Sequence, residues 1–402
     1  MRLASRPSPC SDPLTAARLA NSALFFASGF TYAVWGVCLP QIKSQFALND
    51  AHLSLAMFAV ALGALLSMSV IGPWIARRGS PRACRQGGLV FALSVAPILL
   101  IPHFGLLLAW LLLFGATNAV LDVAINAQAA TLELKASRPI MSSFHGLFST
   151  GGLVGALAGS VWLGAGGSAA ALFVVTALLV AGLVLLGSPH LLPDPHSDAA
   201  ASRRGAPPGA RRRLLALGVL AFLGLVVEGA MYDWTSVYLR DEVGAPAFWI
   251  GAGYAGFSLG MASGRFGGDR LRAWLGARRT LMVSGSLAAL GLLLALGLPF
   301  TASAVAGFTL VGLGCANCVP VLFAASVKVE GVSSSEAIAL VGRLGYLGIL
   351  VGPVIVGFTA HHTGLPLALG LLALFALAIA GGAGKVLPLP AGGRPPAAQG
   401  EK

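Results

Sequence analysis

Residues 214–239 read LLALGVLAFLGLVVEGAMYDWTSVYL. The run is longer than the roughly 20 apolar residues a helix needs to cross about 30 Å of hydrocarbon. A backbone in lipid must satisfy its own polar groups, so such a run is a transmembrane helix and not an exposed strand. Glu228 and Asp233 interrupt it with charge. An acid at that depth costs several kcal/mol unless it is paired, protonated or wetted, so the two mark a candidate functional position.

The pattern extends along the chain. Of its 402 residues, 56% are hydrophobic and only 10% charged, with a mean hydropathy of +0.84. Soluble domains carry about 25% charged residues, so a soluble enzyme or nucleic-acid-binding domain is excluded. Apolar runs of spanning length occur about twelve times. The first is 17–40 and the last 365–384, and they include 246–267, 281–299 and 303–326. The expected fold is all-α: a polytopic membrane protein of about twelve transmembrane helices, embedded in a lipid bilayer.

The net charge of +12 carries topology. Nearly all of the 26 Lys and Arg residues fall on one side of the alternating runs, with Lys43 and Arg240 on the other and Arg343 inside a run. Positive residues mark the cytoplasmic side, which predicts a multi-pass protein of a bacterial inner membrane with both termini cytoplasmic. The basic N-terminal stretch leads into a run too long for a signal peptide, read as the first span. Residues 189–212, rich in Pro, Ala and Arg, read as a cytoplasmic linker. They separate a six-helix half, 1–188, from a second, 213–402, whose tail reads as disordered.

The halves echo one another. SGFTYAVWGVCL at 28–39 and EGAMYDWTSVYL at 228–239 share Gly29/Gly229, Tyr32/Tyr232, Val37/Val237 and Leu39/Leu239 in constant register. A parallel repeat of this kind is the plan of a rocking transporter whose site lies between the halves at mid-membrane.

Two loop sequences and several spans carry a resemblance on this frame. GPWIARRGSPR at 72–82 resembles the loop between helices 2 and 3 of the major facilitator superfamily, roughly G-x-x-x-D-R-x-G-R-R, with Gly72, Arg77 and Gly79 in place and Ala76 where the Asp belongs. GRFGGDRLRAWLGARR at 264–279 resembles a second copy, with Asp269 and Arg270 but looser spacing. LDVAINAQA (121–129), SSFHGLFSTGGLVGA (142–156), EGAMYDW (228–234), GLGCANCVPVLF (312–323) and GYLGILVGPVIVGF (345–358) are similar to a bacterial permease branch related to fucose-type sugar permeases. The resemblance implies two pseudo-symmetric six-helix halves, gating by the two loops, and alternating-access transport of a small, sugar-like solute.

Candidate pathway residues follow from spacing. Gly115, Asn118, Asp122 and Asn126 share one helical face; the expectation is a polar stripe on a wet cavity, with glycine opening room beside it. Glu228 and Asp233 are about 140° apart around a helix, so they do not share a face. Glu228, about 21 Å along the span, is the better cavity candidate, with Tyr232 on its face; Asp233, about 28 Å along, suits an outer gate or a pair with Arg240. Arg343 either pairs with an acid such as Asp122 or snorkels to the surface. Asn317 is a further pathway candidate, and Tyr32, Trp35 and Trp234 are candidate cavity walls. His145 reads as a structural histidine. Gly151, Gly155 and Gly159 form a GxxxGxxxG stripe expected to pack the halves together.

Other patterns lack their context. GAGYAG (251–256) and GFSLG (256–260) lie inside an apolar span and not after a strand. Cys315 and Cys318 sit in another, and an odd count of five Cys argues against a disulfide framework. No phosphate-binding loop of the G-x-x-x-x-G-K-[ST] kind is present. The expectation is no enzyme, no cofactor and no metal. It is instead a secondary active transporter whose partners are a small solute and protons. The readings that compete with it are an efflux pump for amphipathic or cationic compounds and a non-transporting membrane receptor or scaffold.

Overall fold

The computed structural model describes residues 12–137, 140–194, 207–298 and 300–387. Twelve α-helices and no strand occur among them: α1 (Pro13–Gln45), α2 (Asp50–Arg78), α3 (Ser80–Val95), α4 (Phe104–Ala136), α5 (Met141–Gly164), α6 (Ala169–Gly187), α7 (Pro208–Asp241), α8 (Ala252–Gly297), α9 (Thr301–Cys315), α10 (Cys318–Ser326), α11 (Ser334–Thr363) and α12 (Leu365–Val386). Ten segments are long and apolar enough to cross a membrane, α9 and α10 counting together as one. α3, at 16 residues, is shorter than that length. Several helices start where a polar side chain accepts a backbone N–H, as Asp12, Asn49, Ser168 and Ser333 do.

The expected runs 246–267 and 281–299 are two helical arms of α8, which meet at a kink. Gly276, at φ 75° and ψ 161°, turns the chain by itself. Gly79 makes the same turn between α2 and α3, at φ 83° and ψ 148°. Only glycine adopts that region without strain, so each gating-loop sequence reduces to one glycine corner. Arg77 to Gly79 spans two positions and Arg270 to Gly276 spans six; the excess of four is about one helical turn. The looser spacing therefore places Asp269 and Arg270 one turn further from their corner. The run 303–326, expected as one helix, is instead broken into α9 and α10 at Asn317.

The glycine stripe of α5 packs within the first six helices, not between halves. A methyl group on Gly151 or Gly155 would run into the backbone of Phe26 or Phe30 on α1. The residues of α5 that meet the later helices are on another face. Gly152 faces Tyr254 and Ser258 of α8, and Ser160 Oγ accepts the N–H of Gly251 at 2.8 Å. Gly115 likewise opens no room, because its Cα lies against the backbone of Val60 on α2.

Candidate functional site

A cavity of about 240 Å³ lies between the two sets of helices. From the first half come Phe25, Ser28, Tyr32 and Trp35 of α1, Val60 of α2, Asn118 and Asp122 of α4, and His145 and Phe148 of α5. From the second half come Glu228, Gly229, Tyr232 and Asp233 of α7, Arg265 of α8, and Ile349 and Pro353 of α11.

Both acids of the opening stretch reach this cavity, which corrects their expected separation. Positions 228, 229, 232 and 233 sweep about 140° of helix circumference. α7 therefore presents a wider arc to the cavity than the single stripe assumed from spacing. Asp233 does not pair with Arg240, whose Nε binds Asp241 at 2.6 Å and whose guanidinium also reaches Ser44 Oγ at 2.8 Å and the Pro40 carbonyl. Trp35 on α1 interacts with Asp233 instead.

Arg265 is the residue that the sequence reading counted only as topology. Its NH2 nitrogen meets Glu228 Oε1 at 3.1 Å. Its NH1 nitrogen donates to Ser149 Oγ at 3.0 Å and to the His145 carbonyl at 3.4 Å. One guanidinium thus ties α8 to α7 and to α5. The available signal was its position inside the apolar run 246–267, the same feature that singled out Arg343.

The remaining candidates divide. Asn118 and Asp122 line the cavity, and the Asn118 Oδ1 is buried without a hydrogen-bond partner. Asn126 stands one turn beyond and donates to the Asp122 carbonyl at 2.9 Å and to its Oδ1 at 3.2 Å. Tyr32 and Trp35 are cavity walls, whereas Trp234 is fully buried off the cavity. His145 is on the cavity wall, edge-on to Phe25 at 5.5 Å. Asn317 is buried at the α9–α10 break and donates to the Gly264 carbonyl at 3.4 Å, away from the cavity. Arg343 is exposed, does not line the cavity, and is in no ion pair among the described residues. The Asp122 pairing is therefore not made, and the exposed side chain is compatible with the snorkelling alternative.

The gating sequences are held differently. Gly72 borders open space, and Arg77 Nε donates to the Pro73 carbonyl at 3.2 Å. Beyond Gly79, Asp194 of the linker takes the Ser80 N–H at 2.5 Å and the Ser80 hydroxyl. Gln128 of α4 binds Ser80 Oγ and the Leu192 carbonyl, each at 2.6 Å. Arg270 is exposed and in no ion pair among the described residues; the Asp269 side chain lies outside them.

Ion pairs cross between the helix sets at the end where α1 and α7 finish. Lys43 Nζ bridges Asp50 of α2 and Asp241 of α7, both at 2.6 Å. Glu242 beside them has its carboxyl pushed above the usual range, first by burial and then by Asp50 and Asp241, against the pull of Lys43. No group of three His, Cys, Asp or Glu among the described residues could hold a metal.

A profile described as Major Facilitator Superfamily matches residues 22–329. The chain is 34% identical over 365 residues to an uncharacterised MFS-type transporter of Yersinia pestis, covering 89% of this chain and 93% of that one. It is 37% identical over 363 residues to membrane protein MosC of Rhizobium meliloti, covering 88% and 85%. Among solved structures, a variant of the nucleoside transporter NupG superposes with a TM-score of 0.72 at 14% identity, over 92% of this chain and 100% of that one. A bacterial homologue of the human lysosomal transporter Spinster, inward-facing and unoccupied, gives 0.71 at 14% identity, over 94% and 97%. At that identity the likeness extends to the fold.

Proposed function

The chain belongs to the Major Facilitator Superfamily and is a membrane transporter, and we propose that it carries a small polar solute across a bacterial plasma membrane by alternating access, coupled to protons. The observation that carries this reading is the cavity itself. It lies between the helix sets, holds three carboxylates and one guanidinium, and has ion pairs joining α1 and α2 to α7 toward one end. The bias of Lys and Arg supports placing the Lys43 end outside and both termini in the cytoplasm. On this reading the Lys43 cluster is a fastening of the outer end.

Glu228 and Arg265 form the coupling pair. A proton on Glu228 removes the charge that holds Arg265, and Arg265 is also the link from α8 to α5. Protonation therefore releases the α7 partner of the residue that links α8 to α5, so the proton and the contact between the helix sets meet at one guanidinium. The chain has no nucleotide-binding loop, so ion or solute gradients supply the driving force.

The test is reconstitution into proteoliposomes with a pH-sensitive dye inside, screening sugars, small acids and small cations. Solute-driven proton movement that disappears in Glu228→Gln supports the reading. Solute movement with no proton movement overturns the coupling. No flux of any solute leaves a receptor or scaffold as the better account.

A further inference from the structure

We propose that the solute is a small cation, an ammonium compound bound by the carboxylates of Asp122 and Asp233 against the aromatic walls of the cavity. This rests on the transport reading above and specifies its substrate class. Three carboxylates line the cavity, and Arg265 is its only Lys or Arg. Arg265 is already engaged by Glu228, Ser149 Oγ and the His145 carbonyl. Asp122 and Asp233 are in no ion pair among the described residues, and they come from different halves, α4 and α7.

No cation neutralises these acids from among their hydrogen-bond partners. Asn118 Oδ1 is a buried acceptor with no donor. Asp122 accepts from the amide of Asn126, a neutral group. Trp35 interacts with Asp233 and is also neutral. His145 packs edge-on to Phe25, and its carbonyl is taken by Arg265. The cavity therefore has two unpaired carboxylates and a spare acceptor, and its own spare donors, the hydroxyls of Ser28 and Tyr32 and the Asn118 amide, are neutral.

A neutral polyol would leave both carboxylates without a counter-charge. An ammonium supplies N–H donors and the missing positive charge together, at sites where charge interactions are little screened. The faces of Tyr32, Trp35 and Tyr232 attract a cation further. At about 240 Å³ the cavity suits a small solute.

The test is calorimetric titration of the purified protein with matched pairs: butylammonium against 1-butanol, and cyclohexylammonium against cyclohexanol. Each ammonium is expected to bind at least about tenfold more tightly than its neutral partner. Asp122→Asn and Asp233→Asn are each expected to lose about tenfold in ammonium affinity, with Arg343→Gln unchanged as the off-cavity control. Neutral partners that bind as tightly, ammonium affinity untouched by both Asn variants, or no ammonium binding at all would overturn the proposal. The matched pairs decide it on the wild-type protein even where a variant fails to fold. Proton-coupled flux of a neutral solute alone would sink this proposal and leave the transport reading standing. Ammonium binding by a protein that moves nothing would do the reverse.

Discussion

Carboxylates occur at two places along α7, and the molecule treats them in opposite ways. At the Lys43 end, Asp241 is held by Lys43 and Arg240, and Asp50 shares Lys43. About two turns back along the same helix, Asp233 faces the cavity with no cation, as does Asp122 across from it on α4. A buried charge without a partner is costly. A structure that needed these acids only for stability would have paired them, as it pairs Asp241. The difference separates acids that fasten helices from acids kept free for a ligand or a proton. Glu228 stands between the two classes, because it is paired but with a partner, Arg265, inside the cavity.

Breaking the intermediate case has the largest expected effect. Arg265→Gln leaves Glu228 buried and uncompensated, a loss of about 3–5 kcal/mol in thermal unfolding. Adding Glu228→Gln should restore most of that stability but not transport. Full loss of both in the double variant would make the pair a structural fastener like the Lys43 cluster.

Asp233→Asn sharpens the contrast. Transport should fall by about tenfold or more, while stability stays within about 0.5 kcal/mol because no ion pair is lost. Asp241→Asn should show the reverse order. A strongly destabilised Asp233→Asn in thermal unfolding would place Asp233 with the fastening acids.

Lys43→Gln removes the cation shared by Asp50 and Asp241. A partly buried pair of this kind is worth about 1 kcal/mol, enough to shift a closed–open balance severalfold. Spin labels at positions 45 and 242 should then report a larger population of long distances between the ends of α1 and α7. An unchanged distance distribution would show that the cluster does not hold the end shut.

At the opposite end of the molecule, Asp194→Ala removes the side chain that caps α3. The cost should be about 1 kcal/mol, read as faster hydrogen exchange in the first turn of α3. The smallest effect belongs to Glu242. Its carboxyl is raised above the ordinary range, so its charged form is disfavoured in the folded protein. It therefore destabilises slightly as pH rises through its unfolded value and then its higher folded value. Glu242→Gln should flatten that part of the pH–stability profile and change little else.

Much of this was legible because lipid narrows the choices. Runs of apolar length must be helices, so the spans could be read directly. Acids inside those runs are costly enough to stand out, which is why Asp122, Glu228 and Asp233 were found. The faces were harder. Spacing alone assigned Asp233 away from Glu228, since it assumes a narrow stripe and the cavity wraps a wider arc of α7. Arg265 was hidden by being summed with the cytoplasmic charges, although it lies within an apolar run. Gly151 was recognisable as a contact glycine and Gly115 was read as opening room, but which neighbour each met depended on tertiary packing. Asp194 gave no local signal, because its partner Ser80 lies more than a hundred residues away.

The most direct measurement compares Asp122→Asn and Asp233→Asn with Asp50→Asn and Asp241→Asn in proteoliposomes, using a solute that the wild type accumulates. The readouts are the steady-state accumulation ratio and the uptake rate. If the free acids serve ligand and proton, the two cavity variants lose accumulation, whereas the two Lys43-cluster variants keep the ratio and change only the rate. Accumulation retained in both cavity variants and lost in the Lys43-cluster variants would contradict that division.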